Sequence, residues 1–133
     1  MLNMFLVLFG GAVGSLARYG LGLWARIVWP TAEWPIGTFT ANLLGGLLMG
    51  LLMGALLGPL KNLSWGPIDA ERCRLFLGIG VLGGFTTFSS FSLETVFMLE
   101  RRHYLMALGY AVLSVMLAVG GVALGLVLMR KVA

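Results

Sequence analysis

Four long apolar stretches, separated by short polar segments, run through the sequence. They cover residues 2–24, 36–60, 75–99 and 104–129. A helix needs about 20 apolar residues to cross the hydrocarbon core of a bilayer, and each stretch provides them. The pattern predicts an all-α integral membrane protein of four transmembrane helices, in which residues 1–133 form a single domain.

The composition agrees with this pattern and excludes several classes of protein. Apolar residues make up 59% of the chain and charged residues only 11%, whereas soluble domains carry about 25% charged residues. The net charge of +4 is scattered, while a nucleic-acid-binding protein clusters its basic residues on one face, so we expect no nucleic-acid partner. The sequence offers no Ser-His-Asp, Cys-His or paired-carboxylate arrangement, so we expect no enzyme.

Glycines spaced four residues apart mark faces where helices can pack closely. The 20 glycines of the chain include the following sets: Gly10 and Gly14; Gly46, Gly50 and Gly54; Gly80 and Gly84; Gly121 and Gly125. Small residues allow helix backbones to approach one another in lipid. We interpret these glycines as packing surfaces and not as ligands.

Basic residues are distributed almost evenly between the two sides of the membrane. The side that would carry both termini has Lys61, Arg72, Arg74, Arg130 and Lys131. The other side has Arg26, Arg101 and Arg102. Because orientation follows the bias in Lys and Arg, we expect the chain to insert both ways. The sequence therefore predicts an antiparallel dual-topology homodimer with its two-fold axis in the membrane plane.

The third span contains an unusual run, Gly83-Gly84 followed by hydroxyls and phenylalanines through Ser92. One interpretation is a continuous helix whose Ser and Thr hydroxyls bond to the preceding turn. The other is a helix broken near its middle, which persists at that depth only where protein buries it or it lines a cavity. The double glycine favours the break. Backbone carbonyls that lose their helical hydrogen bonds at such a break can coordinate a cation, and backbone amides that lose theirs can bind an anion.

Phe85, Phe88 and Phe91 recur every three residues and form one stripe on the third span. Their role is either apolar packing or attraction of an anion, because the edge of an aromatic ring is positive. Interleaved hydroxyls can donate hydrogen bonds to the same anion. We therefore include Ser89 and Ser90 among the candidate pore residues.

Polar residues in the other spans are candidates because polar groups at bilayer depth are costly. The amide of Asn42 either bonds to another helix or donates to a passing ion. Thr38 lies one turn earlier on the same face and joins the candidate pore residues. In the fourth span, Tyr110 and Ser114 stand four residues apart and share a face.

Two charged residues lie inside predicted spans. Arg18 either extends its side chain to the interface or draws anions toward a pore, and the sequence leaves both alternatives open. Glu94 lies toward the end of the third span, where we expect its side chain to reach the interface.

Three motifs resemble, in order, those of the Fluc (CrcB) family of fluoride channels. They are GGAVGSLARY at residues 10–19, GTFTANLLG at residues 37–45 and GGFTTFSSF at residues 83–91. The resemblance implies an antiparallel homodimer with two pores, each lined by both subunits, and a broken third helix. It also implies a structural sodium ion at the dimer interface, held by backbone carbonyls that would belong here to Gly83 and Thr86.

The same resemblance implies roles for several side chains. Asn42 would be the pore amide, Phe88 and Phe91 would be the pore rings, and Ser114 would belong to the polar face of the fourth helix. The implied function is passive conduction of fluoride out of the cytoplasm, by a multi-pass channel of the bacterial inner membrane that confers fluoride resistance. Fluoride is strongly hydrated, so its pore has to replace water with hydrogen-bond donors.

The main alternative is a proton-coupled small multidrug exporter, which is also a four-helix dual-topology dimer. Such an exporter needs a membrane-buried carboxylate in its first helix, and this chain has no acidic residue before Glu33. A structural subunit without transport activity is a further alternative, but it would not need a polar, phenylalanine-rich break at mid-depth. The fluoride channel is therefore the preferred interpretation.

Overall fold

The structure, a computed structural model, describes residues 1–62, 64–65 and 68–132 of the chain. Within them, four helical spans are long and apolar enough to cross a membrane: Leu2–Val28, Ile36–Leu57, Ala70–Glu100 and Tyr104–Arg130. The prediction of four transmembrane-length helices is confirmed. Their ends differ by a few residues from the predicted ones, most of all at the third span, which begins at Ala70 and not at residue 75.

The first two spans are single α-helices, α1 (Leu2–Val28) and α2 (Ile36–Leu57). The connection after α2 contains two short strands, β1 (Ser64–Trp65) and β2 (Ile68–Asp69), which pair antiparallel. The all-α prediction did not include these strands, because two residues are too few to leave a periodic pattern in a sequence.

The third span is assembled from several helical pieces. In chain order they are α3 (Ala70–Cys73), a π-helix (Arg74–Leu82), α4 (Gly83–Phe85) and α5 (Phe88–Glu100). Between α4 and α5, Thr86 and Thr87 are extended, with ψ angles of 157° and 121°. The predicted break near the middle of the third span is therefore present.

The break lies after the double glycine. Gly83 has helical dihedral angles, φ −63° and ψ −39°, so the helix continues through the glycines. Gly84, and Gly80 one turn earlier, are small because α1 packs against them. A Cβ atom on Gly84 would lie 2.6 Å from the carbonyl oxygen of Gly11. One on Gly80 would lie 2.8 Å from the Cα atom of Gly10, so only glycine allows this close approach.

The second helix packs closely against the fourth span, α6 (Tyr104–Arg130), along the predicted glycine face. A Cβ atom on Gly46 would lie 2.6 Å from the carbonyl oxygen of Ala118. One on Gly125 would lie 2.5 Å from the backbone nitrogen of Leu51. These glycines are packing surfaces, as predicted.

The outer faces of α1 and α6 carry large apolar side chains that the rest of the chain does not cover. Met4 on α1 is 77% exposed and Leu105 on α6 is 83% exposed. The buried cluster, by contrast, is small and consists of Met98, Ala107 and Tyr110. Soluble proteins rarely leave such extensive apolar surface in water, so these faces suit lipid or another protein copy.

Candidate functional site

Two threonines end one helix and begin the next at the break in the third span. Thr86 closes α4, because its backbone N–H and its hydroxyl both donate to the carbonyl of Leu82, at 3.0 and 2.9 Å. Thr87 caps α5, because its hydroxyl oxygen accepts from the backbone N–H of Ser90 at 3.2 Å. Such a cap supplies a partner that the first amides of a helix lack. The bonding to the preceding turn and the break, which the sequence left as alternatives, thus occur together.

Asn42 on α2 holds the break through both ends of its amide. Its Nδ2 donates to the carbonyl of Thr87 at 3.0 Å, and its Oδ1 accepts from the backbone N–H of Thr87 at 2.8 Å. An Asn amide has two N–H groups, and this arrangement uses one of them. The bond to another helix is therefore present, and a second N–H is left for the predicted role as a pore donor.

Arg18 on α1 reaches the same region. Its Nε donates to the carbonyl of Gly84 at 3.2 Å, near the end of the helical segment that begins at Ala70. A cation is favourable at the carbonyl end of a helix. The sequence left open whether Arg18 extends to the interface, and the structure places its guanidinium beside the break.

A cavity of about 590 Å³ lies beside the break, between α2, α5 and α6. Its walls include these predicted site residues: Asn42, Gly83, Thr86, Phe88, Phe91 and Ser114. No charged side chain is found among the described residues that line it. The structure therefore brings an amide, hydroxyls and two phenylalanine rings to one space, which we call the break cavity.

The remaining predicted residues lie elsewhere. Thr38 and Ser90 line a second cavity, of about 290 Å³, between α1, α2 and α5, to which Arg18 also contributes. Ser89 lines neither of these two cavities; it is exposed, and its Oγ lies 3.2 Å from the Oγ1 of Thr87. The predicted pore residues are thus divided between two spaces.

The phenylalanines of the stripe fall into two groups. Phe85 lies beside α2, where a Cβ atom on Gly45 would be 3.5 Å from its ring, so it fills the space between the helices. Phe88 is 76% exposed in the single chain, whereas Phe91 is partly buried. The centroids of these two rings are 5.5 Å apart and their planes are tilted by 43°. A large exposed ring on a cavity wall is available to whatever occupies the cavity.

The hydroxyl of Ser114 has no hydrogen-bond partner among the described residues, although it is buried. An unpaired buried hydroxyl costs about 1–3 kcal/mol. Because Ser114 lines the break cavity, an ion or molecule in that cavity can supply the missing partner.

The structure also contains a hydrogen-bonded trio that the sequence did not predict. The Thr38 hydroxyl donates to Oε1 of Glu94 at 2.6 Å, and the Tyr110 hydroxyl donates to Oε2 at 2.7 Å. The Glu94 carboxylate therefore bonds to side chains of α2 and α6. It also lines a cavity of about 160 Å³ with Glu33, Arg101 and His103, which lie in the connections between helices, so its reach to the interface stays a prediction. The available signal was the carboxylate itself, because an acidic residue within a span is a functional candidate by default. The hydrogen bond between Thr38 and Glu94 also directs the proton of the Thr38 hydroxyl toward the carboxylate.

Comparison with known proteins identifies the family. The sequence model of a family described as CrcB-like protein, Camphor Resistance (CrcB), matches residues 5–126. The chain belongs to the CrcB family.

Relatives of this CrcB chain carry the name fluoride-specific ion channel FluC. The one from Caulobacter vibrioides is 49% identical over 135 residues, which cover 98% of this chain and 97% of the relative. The one from Phenylobacterium zucineum is 50% identical over 123 residues, covering 92% and 91% of the two chains. The one from Chloroflexus aurantiacus is 44% identical over 119 residues, covering 90% and 86%.

Membership of the CrcB family and the four apolar helical spans agree with each other. Together they make the chain a multi-pass membrane protein. The named CrcB relatives are ion channels and not enzymes, in agreement with the expectation from the sequence.

Proposed function

We propose that this chain is a fluoride channel that conducts the ion passively out of the cytoplasm. The observation that carries the proposal is the break cavity, where neutral donors and aromatic rings meet. A strongly hydrated anion needs donors to replace its water, and it also has to leave again. Neutral donors meet both conditions, because they hold an anion less tightly than Lys or Arg does. The names of the relatives point to fluoride as that anion.

In this proposal, four side chains of the cavity wall each make a contact with the anion. The second N–H of Asn42 donates from α2, and the unpaired hydroxyl of Ser114 donates from α6. Phe88 and Phe91 present their positive ring edges, because the negative face of a ring repels an anion. By fixing Thr87, Asn42 also holds the N-terminus of α5 at the cavity, and helix N-termini favour anions.

The working unit in this proposal is an antiparallel homodimer. In the single chain, Phe88 is exposed and the outer apolar faces are uncovered. A second copy would cover the break cavity and shield its polar groups from lipid, which polar backbone at bilayer depth requires. The nearly even distribution of Lys and Arg supports insertion in both orientations. Two copies related by a two-fold axis would form two equivalent pores.

A structural sodium ion at the dimer interface completes the proposal. The backbone carbonyls of Gly83 and Thr86 suit a hard cation, which prefers oxygen ligands. No described residue donates a hydrogen bond to the Thr86 carbonyl, so this oxygen is available. In the described part of the chain, no cluster of His, Cys, Asp and Glu side chains offers an alternative metal site. The residues present therefore fit an ion that joins the two subunits.

The alternative of a proton-coupled exporter receives no support. Such a protein needs a carboxylate in its first helix, and α1 contains none. The carboxylate of Glu94 lies on α5, where both of its oxygens accept hydrogen bonds, from Thr38 and Tyr110.

We further propose that the channel lies in a bacterial inner membrane, where export of fluoride would confer resistance to it.

Ion release from liposomes tests the proposed function. Liposomes that hold the purified protein should release loaded fluoride rapidly once valinomycin lets potassium follow, and should retain loaded chloride. Retention of fluoride would contradict the channel, and equal release of both ions would contradict its selectivity.

A further inference from the structure

A continuous path of aromatic rings connects the loop between α1 and α2 with the break cavity. Trp34 in that loop meets Tyr110 of α6 edge-on, with ring centroids 5.3 Å apart and planes at 89°. The Tyr110 ring lies 5.3 Å from that of Phe91. Phe91 in turn lies 5.5 Å from Phe88. The path therefore begins outside the helices and ends at the two proposed pore rings.

Tyr110 is the centre of this path. It is fully buried, and its hydroxyl is fixed by the bond to Glu94 at 2.7 Å. Its ring contacts Trp34 and Phe91 at the same centroid distance, 5.3 Å. Protein interiors are close-packed and transmit displacement from one side chain to the next. A change at Trp34 therefore alters the position of the Tyr110 ring, and with it the packing against the Phe91 ring.

Trp34 differs from the other tryptophans around this loop. Trp24 and Trp29 are exposed and contact each other edge-on, as residues of an interfacial aromatic belt do. Trp34 is instead partly buried and packs against the buried cluster that contains Tyr110. It also meets Phe39 of α2 edge-on, at 5.7 Å and 77°. An interfacial anchor does not need these inward contacts.

We propose that Trp34 is a positioning residue for the pore, which holds Tyr110, and through it the ring of Phe91, in the orientation that lets the anion pass. This inference rests on the proposed fluoride conduction. Trp34 does not line the break cavity, so its effect on the two proposed pore rings passes through its packing on Tyr110.

The test is the fluoride current through single channels of the full-length protein in planar bilayers. Trp34→Leu removes the ring, and Trp34→Phe keeps one. The current through each Trp34→Leu channel should fall about two- to tenfold, the range that loss of one aromatic pair gives. Trp34→Phe should retain most of the current, because a ring still supports Tyr110.

Trp24→Leu is the matched control. Trp24 has an edge-on ring contact of the same kind, at 5.3 Å and 90°, but on an exposed face. Its single-channel current should equal that of the unmodified protein. Should Trp34→Leu fail to form dimers on a sizing column, Trp34→Met has a more flexible side chain that adapts to the vacated space and should show the same fall in current.

A merely structural role for Trp34 gives a different result. It lowers the number of active channels or the yield of dimer and leaves the current through each channel unchanged. That result would overturn the inference, as would an equal loss of current in Trp24→Leu. In both cases the unmodified protein still conducts fluoride, whereas failure of the proposed function would show as no fluoride current in the unmodified protein.

Discussion

Replacing Asn42 with Asp tests the centre of the proposed pore with almost no change in volume. Asn42 makes two hydrogen bonds to Thr87, at 3.0 and 2.8 Å. An aspartate keeps the acceptor for the Thr87 N–H and loses the donor to the Thr87 carbonyl. The Thr87 carbonyl is then left without its donor, which costs about 1–3 kcal/mol, less than the roughly 5–15 kcal/mol that stabilises a folded protein. We therefore expect Asn42→Asp to fold and to assemble.

The added charge has a larger effect on conduction. A carboxylate about 4 Å from a passing anion raises the energy of that anion by about 4 kcal/mol at an effective dielectric constant of about 20. A barrier higher by this amount lowers the flux by about 1,000-fold. The variant also lacks the free N–H that Asn42 offers the anion. Asn42→Asp should therefore form dimers that conduct almost no fluoride.

Fluoride efflux from liposomes, measured beside elution of the dimer on a sizing column, checks this prediction. The matched control is Asn62→Asp, which adds the same charge at an exposed position outside the helices and should conduct normally. If Asn42→Asp elutes as a dimer and releases fluoride as fast as the control, Asn42 does not face the anion path and the reasoning is refuted.

Three further changes test the rings, the assembly and the cation. Phe88→Ile keeps apolar bulk but removes the positive ring edge, so fluoride efflux should fall, by up to about tenfold; nearly normal efflux would indicate packing alone. Three Lys added to the carboxyl terminus should bias insertion and reduce efflux, and an oppositely biased copy should restore it; full activity of the biased copy alone would contradict the antiparallel dimer. Replacing sodium with a bulky organic cation on both sides should reduce efflux, and unchanged efflux after exhaustive removal of sodium would argue against the carbonyl site.

The number and approximate limits of the spans were predictable, because apolar length alone decides which segments can cross a bilayer. The glycine faces were predictable for a similar reason, since a spacing of four residues places small side chains on one face of a helix. The strands β1 and β2 were not predictable, because they are too short to carry a pattern. Helix ends also shift by a few residues, since hydropathy does not define where the last turn forms.

The position of the break illustrates a limit of local reasoning. The double glycine favoured an interruption of the third span without fixing its position. Gly83 is helical, and Gly84 serves the contact with α1. The chain becomes extended at Thr86 and Thr87, where Asn42 pairs with the backbone of Thr87. That partner is distant in the sequence, so the sequence alone could not show what holds the break at this position.

The trio of Thr38, Glu94 and Tyr110 shows the same limit for side chains. Its members come from three different helices, and their contacts depend on how those helices pack. Each residue drew attention as a polar group within a span, but the sequence could not show that their hydrogen bonds converge on one carboxylate. By contrast, Phe88, Phe91 and Ser114 were predicted together and do line one cavity.

Passive, fluoride-selective conduction is the central claim, and the reversal potential of the current in a planar bilayer tests it most directly. With a tenfold gradient of fluoride and equal chloride on both sides, the current should reverse about 59 mV from zero, the value for a single charge. A pH gradient imposed across the same bilayer should leave that value unchanged. A reversal near zero under the fluoride gradient would contradict selectivity for fluoride, and a reversal that moves with the pH gradient would show coupling to protons and contradict passive conduction.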